Sequence, residues 1–407
     1  MLIKGEFMKK LLSLLIISLL AVMSVFGLFA CDPATNGDTD PGLKMYLVDS
    51  DENPYYVVKE YVCDGETTKL EIPAEKNGYP VREIKSNAFK GNDVLTEIVV
   101  PTSVEKINES AFAGIKKLAK LTVPFIGKTA NSDAYFNESD DATDKAVGVE
   151  RTFAYFFGTE SFNYGVSVTA KFNSADADTK TYYVPVSLKE VVIAPKDAYS
   201  IPMYAFAGNT VLNKVTFVGT IDKIGEYAFS GCEMLNSIVI PASVSYIGKY
   251  AFNNAKSLAD AGLVFEDGNL ALTIGEYAFY GIGVKNLTVP QRVTSFGEFA
   301  FASSNLETLT VYTNKIANYA FKDCVNLKTV VIGDAVKNIG VYAFEGCTSL
   351  SLFGKAGVTG TNKIDLTGIE VLGAMSFANL NKLASYEVVS SLGAEVINYA
   401  FFQTKLA

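Results

Sequence analysis

Apolar and polar residues recur along this chain with a period that is too long for a single helix or strand. An apolar residue, usually Ile, stands four positions before an Ala-Phe pair, and Gly or a small polar residue follows two positions after the Phe. The pair opens, once as Ser-Phe, at positions 88, 111, 205, 228, 251, 278, 300, 320, 343, 376 and 400, and most neighbouring pairs are 20 to 24 residues apart. A sustained period of this length indicates a repeat solenoid.

Each repeat also predicts its own local structure. The Gly position is typical of a backbone with φ > 0 that closes a single helical turn. The pattern that follows it, Leu-x-x-Ile-x-Ile-Pro in residues 235–241, predicts a short strand ended by Pro. One repeat cannot bury its own apolar face, so stacked coils share a core. The apolar column, which we expect to face inward, comprises Ile84, Ile107, Ile201, Ile224, Ile247, Ile274, Phe296, Ile316, Ile339, Leu372 and Val396.

The residues from Ile224 to Phe252 read IGEYAFSGCEMLNSIVIPASVSYIGKYAF, and this run resembles the BspA-like class of leucine-rich repeats. The resemblance covers about residues 45–407. It implies an elongated, right-handed solenoid with a β-strand and a short helical turn in each coil of about 23 residues. It also implies a role, since such repeats occur in bacterial surface proteins and some parasitic protists and are mostly described as adhesins or host-matrix binders.

The N-terminal residues indicate targeting rather than fold. Lys9 and Lys10 precede an apolar run over residues 11–29, and Ala30 then precedes Cys31. We interpret residues 1–30 as a lipoprotein signal peptide, with Cys31 lipidated and N-terminal after cleavage. The alternative is an uncleaved transmembrane anchor, because this predominantly apolar run of 19 residues can just span a bilayer. Either one places the repeats outside the cytoplasm. Residues 31–44 are polar and read as a flexible tether.

The rest of the chain divides by its agreement with the repeat. Residues 45–80 contain no Ala-Phe pair, and their apolar and polar residues alternate. This pattern predicts N-terminal capping strands over the repeats of residues 81–407. An irregular insertion over residues 125–187 contains acidic clusters and the aromatic block 153–157, which we expect to continue the core as a degenerate coil. No polar capping repeat follows Phe401, so we expect that the sequence is truncated at its C-terminus.

Composition excludes several functions. A net charge of −9 argues against nucleic-acid binding, which requires a basic surface. The chain has no His, which removes Ser-His-Asp and Cys-His catalysis and leaves a carboxylate-pair hydrolase as the remaining enzyme class. The acidic clusters at 131–141 and 173–176 do not match the ligand spacing of a calcium loop. We therefore expect no enzyme activity, no metal and no cofactor.

Three cysteines share one repeat position, three residues after the Phe. Cys232, Cys324 and Cys347 stand where other repeats have small or apolar residues, which favours buried free thiols. The alternative is a disulfide between Cys324 and Cys347, because residues one coil apart in a stack lie close enough for one.

The residue before the Ala is aromatic in eight of the eleven repeats and forms the leading candidate surface. Its rings could stack and shield the edge of the solenoid, or they could offer a rigid strip to a protein or glycan. The outward Val and Thr residues of the strands form a second candidate. The predicted function is that of a membrane-anchored surface lipoprotein that binds an extracellular protein or glycan, including host matrix; the alternative is a self-associating structural component without a soluble ligand. The candidate ligand-binding residues are Tyr204, Tyr227, Tyr250, Tyr277, Phe299, Tyr319 and Tyr342, and Tyr399 is the eighth aromatic residue.

Overall fold

The repeats form a β-solenoid in which most coils contribute two short parallel strands. The computed structural model describes residues 42–49, 53–130, 150–171, 179–259, 262–381 and 384–407. Residues 41–407 form one compact unit. The predicted signal peptide, Cys31, most of the tether and the two acidic clusters lie outside the described residues.

One strand of each coil follows the turn, and these strands lie in two parallel sheets, which confirms the strand predicted after each turn. Equivalent residues pair directly, as Val191 does with Val215 and Leu121, so each repeat column becomes a row along the sheet. The first sheet contains β3 (Lys69–Glu71), β6 (Glu97–Val99), β8 (Lys120–Val123), β11 (Glu190–Ile193), β13 (Lys214–Phe217), β15 (Ser237–Ile240) and β17 (Leu263–Phe265). The second contains β19 (Asn286–Val289), β21 (Thr308–Val311), β23 (Thr329–Ile332), β25 (Leu352–Lys355), β26 (Lys363–Asp365) and β28 (Glu387–Val389).

A second strand precedes the turn, and the sequence pattern does not predict it. It always ends on the residue of the apolar column, and in most coils only two to four residues take part. So short a strand has no room for the alternation that marks longer ones. These strands are β5 (Tyr79–Ile84), β7 (Lys106–Ile107), β12 (Tyr199–Ile201), β14 (Ile221–Ile224), β16 (Tyr246–Ile247), β18 (Leu272–Ile274), β20 (Val293–Phe296), β22 (Lys315–Ile316), β24 (Asn338–Ile339) and β27 (Val371–Leu372).

Antiparallel strands lie against the first coil, in the region where the sequence predicts a cap. β1 (Gly42–Val48) pairs antiparallel with β2 (Tyr55–Val62), and β2 pairs in parallel with β5. β4 (Glu75–Lys76) pairs with the other part of β5. The ring of Tyr61 lies 6.1 Å from that of Phe89, the first ring of the repeat core.

The core is a stack of phenylalanine rings, one from each Ala-Phe pair. From Phe206 to Phe401 successive centroids are 5.0–5.4 Å apart and the planes lie within 10° of parallel. The apolar column is also buried, except at its end. Leu372 is only half-buried, and Val396 is 42 % exposed because helix α1 (Ala394–Ala400) replaces the strand of the last coil. No helix within the described ranges is long and apolar enough to cross a membrane.

The aromatic block of the insertion lies in the core, as its composition indicates. Phe153–Phe157 form a 3-10 helix whose five residues are all buried. The ring of Phe153 is 5.0 Å from Phe206, and that of Phe156 is 6.1 Å from Phe112, so the block fills the gap in the stack. A hairpin of β9 (Gly165–Lys171) and β10 (Thr179–Pro185) follows it.

Candidate ligand-binding surface

The seven candidate residues form one continuous stack, here called the aromatic ladder. Successive ring centroids are 4.5–5.0 Å apart, and the planes lie within 17° of parallel. Tyr399 does not join it, because it lies in α1 and is 64 % exposed. The members of the aromatic ladder are Tyr204, Tyr227, Tyr250, Tyr277, Phe299, Tyr319 and Tyr342.

The ladder residues have a left-handed backbone, with φ between 54° and 57°. This conformation costs an L-residue about 1–2 kcal/mol. It belongs to a turn in which alternate N–H groups point to the next coil: those of Tyr227, Phe229 and Gly231 donate to carbonyls there at 2.7–2.9 Å. The intervening N–H groups close the turn on carbonyls three residues back. Gly231 and its equivalents are left-handed too, which confirms the sequence prediction for that position.

Stacking explains how aromatic residues are retained at a strained position. Each offset-stacked pair contributes about 0.5–1.5 kcal/mol beyond burial, and the seven rings form six pairs, so stacking offsets part of the backbone cost. The ladder residues are half-buried except Tyr204, which is buried. Because each inner ring is covered on both faces by its neighbours, the inner rings have only their edges, and the hydroxyls of the tyrosines, left for contact with solvent. Burial raises the pKa of Tyr277, with a further contribution from Tyr250 and Glu276.

The cysteine column holds free thiols rather than a disulfide. Each Sγ donates to the carbonyl of the Phe in the preceding coil, as Cys324 does to Phe301 at 3.3 Å and Cys347 to Phe321 at 3.2 Å. Ser304 makes the same bond to the carbonyl of Phe279 at 3.1 Å, so a hydroxyl at this position takes the place of the thiol. Burial raises the pKa of Cys324 to about 12, so this thiol is a poor nucleophile at neutral pH.

The most enclosed carboxylate of the described chain is structural. Glu83 is 7 % exposed and accepts hydrogen bonds from Lys85 at 2.9 Å and Asn108 at 2.8 Å, with Lys106 at 3.3 Å. Burial acts to raise the pKa of Glu83, but these partners outweigh it and hold that pKa below its usual value. Within the described ranges no group of three or more Cys, Asp or Glu is placed to hold a metal ion.

The strand face offers the second candidate surface. Val239 and Val264 are 41 % and 42 % exposed and pair across β15 and β17. Beside this row run cross-coil ion pairs, such as Lys214 with Glu190 at 3.5 Å. The face therefore presents β-branched side chains flanked by paired charges.

Short parallel strands, left-handed turns and a Phe stack together define a leucine-rich-repeat solenoid. The model of the BspA type leucine rich repeat region matches residues 64–162, 177–264 and 263–359 in six copies, and the chain belongs to this family. It is a family of repeat scaffolds. No curated protein sequence matches the chain.

Three solved structures are similar to the chain in fold. A leucine-rich repeat protein from Bacteroides ovatus is 20 % identical, with 90 % of this chain and 98 % of that chain covered and a TM-score of 0.38. A leucine rich cell surface protein from Faecalibacterium prausnitzii is 17 % identical, with 91 % and 98 % covered and a TM-score of 0.34. The pneumococcal vaccine antigen PcpA is 16 % identical, with 87 % and 82 % covered and a TM-score of 0.28.

Proposed function

We propose that this protein is a surface-exposed, non-enzymatic binding protein that recognises an extracellular protein or glycan, host matrix included, through the outward edge of the aromatic ladder. The observation that carries this proposal is the row of half-buried rings at 4.5–5.0 Å spacing. A tyrosine edge combines apolar contact with a hydroxyl that can bond to a partner. Repetition of the same weak contact along the row adds up to useful affinity.

The ladder contains a natural control for its own hydroxyls. Phe299 occupies the same position without a hydroxyl and stacks at 4.7 Å and 4.5 Å on its neighbours. A variant with Tyr250→Phe, Tyr277→Phe and Tyr319→Phe therefore keeps the stack and removes only three hydroxyls. Within the described part of the chain these hydroxyls bond to no other residue.

The test measures binding of the full chain to immobilised matrix proteins and glycans. At about 0.5–1.5 kcal/mol for each hydrogen bond, losing three hydroxyls should weaken binding about tenfold or more while the melting temperature holds. The matched control is Val239→Thr with Val264→Thr on the strand face, where other coils carry Thr. If the control loses binding and the ladder variant does not, the ligand uses the strand face.

Lipid anchoring at Cys31 belongs to the same proposal. It is supported by the order of Lys9-Lys10, an apolar run and Ala30-Cys31 in the sequence. Mass spectrometry of the membrane fraction should detect a diacylglyceryl-modified peptide that begins at Cys31. Recovery of a peptide that continues from the apolar run through Ala30 into Cys31 contradicts cleavage and lipidation at that site.

A self-associating structural role is the second candidate. The exposed pair Val239 and Val264 favours it, because a flat β-branched sheet face can pack against a copy of itself. Light scattering at increasing concentration should then show assemblies that the Val239→Thr, Val264→Thr variant does not form. A chain that stays monomeric at all concentrations rules this role out.

A further inference from the structure

A groove of about 400 Å³ lies beside the aromatic ladder where four coils meet. Three ladder rings line it, those of Tyr250, Tyr277 and Phe299. The other lining residues stand one or two positions after the buried Phe of the same turns. The volume is near the lower end of the ~300–1,000 Å³ typical of small-ligand sites, which suits a short oligomer rather than a folded domain.

The groove contains an aromatic ring whose faces the ladder does not cover. Tyr280 lies 5.7 Å from Tyr277 with an interplanar angle of 52°, so the two rings are not stacked in parallel. Its column neighbours in the adjacent coils are Asn253 and Ala302, neither of which is aromatic. Tyr280 is half-buried and lines the groove. It can therefore present a ring face to a ligand, whereas the inner ladder rings present edges.

Polar side chains surround this ring without being used by the fold. Within the described ranges the side chains of Asn253, Asn254, Ser303 and Asp323 make no hydrogen bond or ion pair. Asn254, Ser303 and Asp323 have φ of 55–60° at the position that Gly occupies in six other coils. They supply amide, hydroxyl and carboxylate groups at one site, which is the mixture that hydrogen-bonds to hydroxyl-rich ligands.

The charges around the groove disfavour an acidic ligand. Lys322 also lines it, but its Nζ is paired with Glu345 and lies 5.5 Å from the ring centre of Tyr342. Although burial acts to lower the pKa of Lys322, the pairing with Glu345 raises it overall. The cation is thus already neutralised, and Asp323 adds a negative charge. An acidic glycan or acidic peptide would meet repulsion rather than a complementary charge.

We propose that this groove binds a short neutral oligosaccharide, with a sugar ring on the face of Tyr280 and sugar hydroxyls bonded to Asn253, Asn254, Ser303 and Asp323. A sugar has one apolar C–H face and a rim of hydroxyls, and the groove offers a counterpart to both. The proposal names a ligand class for the ladder surface, so it rests on the function proposed above.

The experiment screens labelled full chain in detergent against arrayed neutral and acidic oligosaccharides and then titrates the bound sugar by calorimetry. Tyr280→Ala should weaken binding about tenfold or more, as the loss of a central aromatic contact does. Ala stands at this position in four other coils, so the fold accepts it. Phe402→Ala is the matched control: it is the other aromatic residue of the same column, it lies outside the groove, and its removal should leave binding unchanged.

A second variant separates binding from folding. Asn254→Gly, Ser303→Gly and Asp323→Gly together remove the polar groups and place Gly where φ is positive, so the melting temperature should hold while binding falls. Wild-type affinity in Tyr280→Ala, or selection of acidic sugars only, overturns the groove proposal. If the wild type binds no neutral sugar but binds a matrix protein, and the ladder variant loses that binding, only the groove proposal is overturned. Absence of binding to both classes overturns the surface function as well.

Discussion

The substitution Phe229→Ala probes the core that holds the ladder in place. Phe229 is fully buried and lies 5.0 Å from both Phe206 and Phe252, with its plane within 9° of each. Phe→Ala in a core costs about 3–5 kcal/mol. Two stacked pairs, about 0.5–1.5 kcal/mol each, are lost with the ring. The turn is bonded to the next coil, Phe229 N–H to Ala251 at 2.7 Å, and resists collapse into the cavity. We therefore expect the upper end of the range.

The assay for this substitution is denaturant unfolding combined with hydrogen exchange. Coils contact mainly their neighbours, so protection should be lost first in the coils around residues 205–251 rather than uniformly. Phe402→Ala, at a ring that is 46 % exposed, should change stability by less than about 0.5 kcal/mol. If Phe229→Ala lost no more stability than Phe402→Ala, the assignment of the Phe column to a shared core would be wrong.

Two further predictions follow from the polar groups of the fold. Alkylation of the native chain followed by mass spectrometry should label Cys63, which is exposed, and spare Cys232, Cys324 and Cys347; rapid labelling of any of these three contradicts the buried thiols. The lowered pKa of Glu83 means that its stabilising effect is present above the unfolded value of about 4.3 and is lost as the pH falls through the folded pKa. Glu83→Gln should thus have a lower free energy of unfolding than the wild type at pH 7, measured by urea denaturation. The difference between the two proteins should disappear in acid. A difference that persists at pH 2 contradicts the pairing.

The repeat pattern was sufficient to predict the solenoid because its columns map directly onto stacked positions. Ile224 and Phe229 recur with the turn, and an inward residue in one coil must be inward in the next. The left-handed backbone at Gly231 was predictable for the same reason, since Gly, Asn or Asp occupies that repeat position in most coils. The Tyr column was predicted as a row, and the structure places its seven members in one stack.

Other features depend on geometry that no single column carries. A left-handed Tyr227 is not signalled by residue type, because bulky residues rarely adopt φ > 0. The turn itself imposes the conformation, since the non-aromatic Ser110 and Met375 are left-handed at the same repeat position. The groove at Tyr280 arises from residues of four coils, and its repeat position is otherwise mostly Ala, Lys, Ser or Asn. The exposed Val396 and Tyr399 fit the repeat in sequence, yet a local helix replaces the strand there.

The central claim is that ligands bind at the ladder edge, and tyrosine nitration mapped by mass spectrometry tests it most directly. The free protein should be nitrated at Tyr250, Tyr277 and Tyr280, and at Tyr312, which is 43 % exposed and lies outside the groove. A bound sugar or matrix protein should protect the first three and leave Tyr312 reactive. Protection of Tyr312 with unchanged nitration along the ladder would contradict the account.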